Sequence, residues 1–223
     1  NWTLLGKTLE RTKASIYDVP IISTNKKYLK EVIKHLKKNK IKQYKIVLEP
    51  AKRNTAPAIL STALIKDIPN NQPLMFFTAD HLIEKMNVFN KAITKNKQKL
   101  TNQNIFVFGI KPTYPSSEYG YFITKKIRGN INKVTKFIEK PKKNRAKIVI
   151  KQKGYWNSGM FFLRKDSIIN NFKKYNPSIY SNCLNSVSKA KFKSNIYFLN
   201  KSSFIKANAK SFDYAILEKT KKI

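Results

Sequence analysis

The segment Tyr44-Lys45-Ile46-Val47-Leu48-Glu49-Pro50-Ala51-Lys52-Arg53-Asn54-Thr55-Ala56-Pro57-Ala58 decides the fold. Tyr44 to Leu48 reads as a strand, and Ala56 to Ile65 reads as a helix with Asn54 or Thr55 as its N-cap and Pro57 near its first turn. The same alternation extends in both directions. Upstream, Val19 to Ser23 is a short apolar strand, followed by a Lys-rich amphipathic helix with Tyr28, Leu29, Val32, Ile33 and Leu36 on one face. Downstream, Leu74 to Thr78 is a buried strand ending at Asp80, helix-like sequence runs to Leu100, and Ile105 to Ile110 is a strand again. Strands alternating with helices imply βαβ units, hence an α/β, Rossmann-like, mixed and mostly parallel sheet with flanking helices. Ligands bind such sheets beyond the carboxyl ends of the strands, which puts Glu49-Pro50 and Asp80-His81 on the binding edge.

From Tyr119 the pattern changes. Tyr119 to Ile123 and Val134 to Ile138 look like strands joined by a turn at Gly129-Asn130, and Tyr155 to Leu163 is an aromatic-rich strand. Helices are expected near 143–152 and 166–174, with a short one from Phe212 to Glu218. The expected organisation is one domain over 1–223 in two parts, about 1–110 and about 111–223.

Composition narrows the function. The 223 residues can bury one substantial core. No stretch of apolar residues is long enough for a transmembrane helix, so a membrane role is not expected. Cys183 is the only cysteine, which excludes an internal disulfide and leaves no cysteine-based zinc site. No secretion signal is visible, so a cytoplasmic protein is expected. The formal net charge is +34. Nearly all the cations are lysines spread along the chain, whereas base-edge readout favours arginine, so nucleic acid is disfavoured as a partner. Abundant Lys, Asn and Ile also fit an AT-rich genome. Such a field attracts nucleotides and other phosphates either way.

Several residues suit phosphate and sugar chemistry, each with a plainer alternative. Arg53-Asn54-Thr55 opens a helix, whose free N–H groups and dipole suit a nucleotide, or it is an ordinary cap. Asp80 could hold Mg²⁺, or be a turn residue bonding its own backbone. His81 reads as structural, since one His with one Asp is too little for zinc. Lys140 suits a phosphate and Glu139 suits hydroxyls, or the two are a solvated pair. Gly120 allows close backbone approach, or marks a bulge. Asn157 can both donate to and accept from a hydroxyl, or be a turn residue. Trp156 and Phe161 read as core, and Asp213 as a residue at the edge of the site.

Taken in order, six segments resemble the mannose-1-phosphate guanylyltransferase family. They are Glu49 to Ala58, Thr78-Ala79-Asp80-His81, Tyr119-Gly120-Tyr121-Phe122, Phe137-Ile138-Glu139-Lys140-Pro141, Trp156 to Phe161, and Ser211-Phe212-Asp213-Tyr214-Ala215. The resemblance runs from about Thr3 to Thr220 and rests most on the first segment. It implies that GTP and mannose 1-phosphate become GDP-mannose and pyrophosphate. It also implies that Glu49, Pro50, Arg53, Asn54, Thr55 and Ala56 lie at the guanine nucleotide, and that Asp80 binds Mg²⁺. Lys140 would take the sugar's phosphate, while Tyr119, Gly120, Glu139 and Asn157 would face the sugar. By the same resemblance the part over about 1–110 is nucleotide-binding and the part over about 111–223 sugar-phosphate-binding.

Two departures accompany the resemblance. The family's Gly-rich phosphate loop should precede Leu4-Leu5, and its Trp-x-Asp-x-Gly-Ser motif should follow the sixth segment; neither occurs here. The expectations are a domain truncated at both ends, a missing first strand that exposes a parallel edge, and little or no activity in this chain alone. A fragment, a split protein and a degenerate remnant all fit. A non-catalytic nucleotide- or polyanion-binding protein, an enzyme for another sugar phosphate, a downstream isomerase domain and a homo-oligomer stay open.

Overall fold

The computed structural model describes residues 3–127 and 131–223. The turn expected at Gly129-Asn130 lies outside them.

Two sheets organise the chain. In the first, β1 (Ile21–Asn25) pairs in parallel with β2 (Lys45–Glu49). The sequence between them carries α2 (Leu29–Lys38), and α1 (Leu4–Arg11) precedes β1. Side chains alternate along β2. Ile46 and Leu48 pack with Leu9 of α1 and with Val32 and Leu36 of α2. Val47 points the other way, among Ile65, Ile68, Leu199 and Phe204. Both faces of β2 are therefore covered, which is why Ile46-Val47-Leu48 is apolar at every position. Its second neighbour comes from far along the chain: β9 (Ile196–Phe198) pairs in parallel with it, and β8 (Lys191–Lys193) closes a short hairpin on β9.

The second sheet is built on β7 (Tyr155–Arg164). β3 (Pro73–Phe76), β4 (Phe106–Ile110) and β5 (Tyr121–Lys126) all run antiparallel to it, and β6 (Asn132–Ile138) is antiparallel to β5. Phe161 and Leu163 of β7 face a core shared with α3 (Thr55–Leu64), α6 (Lys165–Tyr175) and α7 (Pro177–Ser188), whereas Phe162 faces α4 (Met86–Asn96). The α5 helix (Lys143–Lys151) covers Tyr121, Ile138 and Trp156.

The mixed α/β architecture with flanking helices agrees with the sequence reading. Parallel pairing is less extensive than expected, being confined to β1, β2 and β9, because the long β7 takes antiparallel partners along both edges. The two sheets also interleave in sequence: β3 and β4 join the later sheet, while β8 and β9 join the earlier one. Among the described residues β1 pairs only with β2 and β3 only with β7, so each leaves one edge free.

A buried lysine ties the layers together. Lys165 begins α6, and its Nζ donates to the carbonyls of Ile65 (3.2 Å) and Ile68 (2.7 Å) just past the end of α3. A helix C-terminus has unsatisfied carbonyls and negative dipole character, so a cation fits there. Burial lowers the pKa of Lys165. Replacing it by Met keeps the stem but takes the ammonium donor from the Ile68 carbonyl and leaves that of Ile65 with only the long bond from Ile68 N. K165M should lose about 1–3 kcal/mol of stability, seen as a lower urea midpoint with an unchanged slope. An unmoved midpoint would mean that water replaces the ammonium group without loss.

Candidate functional site

The turn after β2 holds the first group of predicted site residues. Glu49 is the last residue of β2, and its carboxylate accepts from Ser23 Oγ of β1 at 2.9 Å. Burial raises the Glu49 pKa, and the Ser23 bond opposes that rise. Arg53 donates to the Ile205 carbonyl at 2.6 Å. Asn54 has φ 64 and caps α3, its side chain accepting from Thr55 N at 2.7 Å. With ψ −175 this is a region that residues other than glycine rarely enter, so the turn holds Asn54 in a strained conformation.

The free helix N–H groups expected here are not found. Thr55 N is taken by Asn54, Ala56 N donates to the Lys210 carbonyl at 3.0 Å, and the next residue is Pro57, which has no N–H. The capping alternative is thus the correct account of this helix start. Thr55 is exposed, but its Oγ1 is engaged, accepting from Phe212 N at 2.8 Å. What remains for a ligand is the Glu49-to-Asn54 turn, with Ser23 and Asn25 of β1 beside it.

Asp80 lies in an exposed turn four residues beyond the end of β3, with a side-chain exposure of 78%. His81 Nε2 lies 3.9 Å from its carboxylate, and the His81 carbonyl accepts from buried Arg11 of α1. Arg11 therefore fixes the loop's backbone while leaving the Asp80 carboxylate in solvent. A cavity of about 510 Å³ borders this loop, lined partly by Arg11, Leu82 and Met86. Among the described residues no three His, Cys, Asp or Glu side chains converge as metal ligands. The lone, hydrated Asp80 suits an Mg²⁺ that keeps several waters and arrives with phosphate oxygens, and does not suit an all-protein metal cage.

The second group converges closely. Gly120 precedes β5, and its carbonyl accepts from Asn157 N of β7 at 2.7 Å. A Cβ on Gly120 would stand 2.6 Å from Glu139 Oε2 and 3.5 Å from Asn157 Cβ. A larger residue at 120 would push the Glu139 carboxylate from its place at the end of β6. Asn157 Nδ2 donates to Asp213 Oδ1 at 2.7 Å, and its Oδ1 accepts from Gly159 N at 3.2 Å. Lys140 follows Glu139, is exposed and has φ 42. Tyr119 is exposed and packs its ring on Trp156 at 5.0 Å.

Sequence reasoning underrated Asp213. It opens a single π-helical turn (Asp213–Leu217), a local form that often marks functional positions. Its neighbour Phe212 is bound to Thr55, and its own side chain to Asn157. The segment Lys210 to Asp213 thus joins the turn after β2 to the Gly120–Glu139–Asn157 group. The loop of Asp80 approaches the same region, since Thr78 Cγ2 lies 3.4 Å from where a Gly159 Cβ would be. Nothing in the periodicity marked Asp213; only the Ser211-Phe212-Asp213-Tyr214-Ala215 segment did.

With this geometry the chain can be placed among known proteins. Residues 1–209 match the Nucleotidyl transferase family model, and the chain belongs to that family. It is 35% identical to Mannose-1-phosphate guanylyltransferase 2 of Escherichia coli O157:H7 over 99% of this chain and 48% of that protein. It is 32% identical to Alginate biosynthesis protein AlgA of Pseudomonas fluorescens over 99% of this chain and 47% of that one. Its fold superposes on a mannose-6-phosphate isomerase from Helicobacter pylori with a TM-score of 0.87 at 28% identity, covering all of this chain and 86% of that one. The chain spans about half the length of the curated relatives it matches. No helix among the described residues is long and apolar enough to cross a membrane.

The charge state of Glu139 gives a test. Burial first, and then the Asp213 carboxylate, push its pKa up to about 7, with Lys140 opposing and Glu218 adding to the rise. A carboxyl with a raised folded pKa favours the fold while protonated, and that contribution fades as pH climbs from the ordinary value through about 7. E139Q stays neutral throughout. It should flatten the fall in Tm between pH 5 and pH 8, and melt about 2–4 °C above the parent at pH 8 after allowing for solvent screening. Parallel Tm–pH curves would show that Glu139 ionises without penalty.

Proposed function

We propose that this chain carries the nucleotide and sugar-phosphate sites of a mannose-1-phosphate guanylyltransferase. The observation that carries the reading is the link through Phe212 and Asp213 between the Glu49-to-Thr55 turn and the Gly120–Glu139–Asn157 group. Those are the two sets of residues that the resemblance assigns to guanine nucleotide and to sugar. The Escherichia coli relative is named for this activity, and the Helicobacter pylori structure for another phosphorylated mannose. The same reading puts the protein in the cytoplasm, where GTP is available.

The chemistry needs no general base. A phosphate oxygen of mannose 1-phosphate attacks the α-phosphorus of GTP in line, the bond to the bridging oxygen breaks, and pyrophosphate leaves with its electron pair. The protein's task is to align two polyanions and screen their charge. Lys140 places a compact cation at the attacking phosphate. Glu139, Asn157 and Gly120 orient the sugar, and Tyr119 borders it. Glu49, Pro50, Arg53 and Asn54 form the turn against the base, and Thr55 and Ala56, their N–H groups taken within the protein, back it at the start of α3. Asp80 would hold Mg²⁺, which supplies charge neutralisation at the phosphate oxygens.

Binding by titration calorimetry tests the assignment. GTP with Mg²⁺ should bind more tightly than UTP, and D80N should lose the Mg²⁺-dependent part of GTP affinity. K140A should weaken mannose 1-phosphate about ten-fold, the loss of one charge-assisted contact, with GTP unchanged. Equal affinity for GTP and UTP, with no hexose phosphate bound, would rule the reading out.

A second reading, a polyanion-binding surface, is favoured by one observation. Lys125 and Lys133 stand directly opposite across β5 and β6, an arrangement that costs stability unless an anion intervenes. A steep loss of nucleic-acid affinity with salt, alongside no GTP binding, would select it.

A further inference from the structure

We propose that Asp213 is a specificity-determining residue that acts with Glu139 and Asn157 as a clamp for the hydroxyl groups of a neutral polyol. The proposal rests on the sugar-phosphate reading of this site and adds a residue to it. It also divides the labour there: the carboxylates take the uncharged sugar, and Lys140 alone takes the phosphate.

The geometry fixes what the group offers. The Asn157 amide is pinned at both ends, its Nδ2 on Asp213 and its Oδ1 on Gly159 N. Its orientation is thereby set, and one amide hydrogen stays available. Asp213 Oδ1 takes that single side-chain donor, which leaves carboxylate lone pairs unused. Glu139 lies in the space that Gly120 leaves open and receives no side-chain hydrogen bond among the described residues. These partly buried acceptors have lone pairs to spare, so the group suits a ligand that brings several O–H donors.

Electrostatics exclude the alternative ligand. Three carboxylates act on this spot, Glu139, Asp213 and the exposed Glu218, against one cation, the exposed Lys140. Burial and Glu218 raise the pKa of Asp213, while its own backbone N–H, Asn157 and Lys140 oppose the rise. Above about pH 7, where Glu139 is ionised, a phosphate placed between the carboxylates would be repelled. A sugar hydroxyl can donate to Asp213 or Glu139 and accept from the free Asn157 hydrogen. The site is therefore matched to adjacent hydroxyls, with the phosphate held outside by Lys140.

The test compares mannose 1-phosphate with methyl phosphate, which keeps the phosphate ester and lacks the polyol. Both are titrated calorimetrically into the 223-residue chain, with circular dichroism melts to check folding. The parent chain should prefer mannose 1-phosphate. D213N, close in shape, should lose about ten- to hundred-fold in mannose 1-phosphate affinity and keep methyl phosphate within about two-fold. D213E retains the charge but moves it by one methylene, so it should show the same selective loss and serves if D213N does not fold. A purely structural role for Asp213 would weaken both ligands together. A variant that folds and keeps the full preference overturns the role of Asp213 while leaving the sugar-phosphate reading intact. A parent chain that binds the two ligands equally, or neither, overturns the clamp. GTP titration of that same chain then shows whether the nucleotide half of the reading survives.

Discussion

The structure depends on the burial of Phe212. Its ring is fully buried between Phe161 of β7 and Phe172 of α6, with centroids 4.6 Å and 6.1 Å away. Burying an aromatic side chain is one of the larger single contributions a residue can make to a core. Its backbone N–H reaches Thr55 at the head of α3, and the next residue reaches Asn157. One apolar anchor thus holds the turn after β2 and the strand β7 at fixed separation. For the proposed reaction such positioning is the main service asked of the protein, because its nucleophile is already an anion.

Much of the fold was legible because burial on two faces leaves a plain trace. Ile46-Val47-Leu48 and Phe161-Phe162-Leu163 are apolar without interruption because each alternating side chain meets a separate core. The apolar face of α2 was equally visible, and α3 was legible as a helix. What escaped were elements set by distant partners rather than by their own pattern. The three residues of β9 are too few to show a period, and their strand state depends on β2. The antiparallel bias of the second sheet was hidden for the same reason, since strand direction is a property of pairs.

The candidate site divides similarly. Gly120, Glu139 and Asn157 come together as the resemblance implied, and the close approach expected at Gly120 has a concrete cause in the Glu139 carboxylate. At the start of α3 the sequence reading included the Asn54 cap, but it could not show that the Lys210 carbonyl arrives to take Ala56 N. Arg11 was also missed as the residue that fixes the loop after Asp80. Both contacts cross long stretches of chain, and neither leaves a local signature.

The pairing of Ile46 with Ile196 has a consequence for how the chain is made in a cell. At translation speeds of roughly 5–20 residues per second, β9 emerges on the order of ten seconds after β2. Until then the outer edge of β2 offers an apolar strand to any neighbour, and pairings this distant in sequence form slowly. The yield of soluble protein should therefore track the pace of synthesis and the supply of chaperones during that interval, more than the stability of the finished fold.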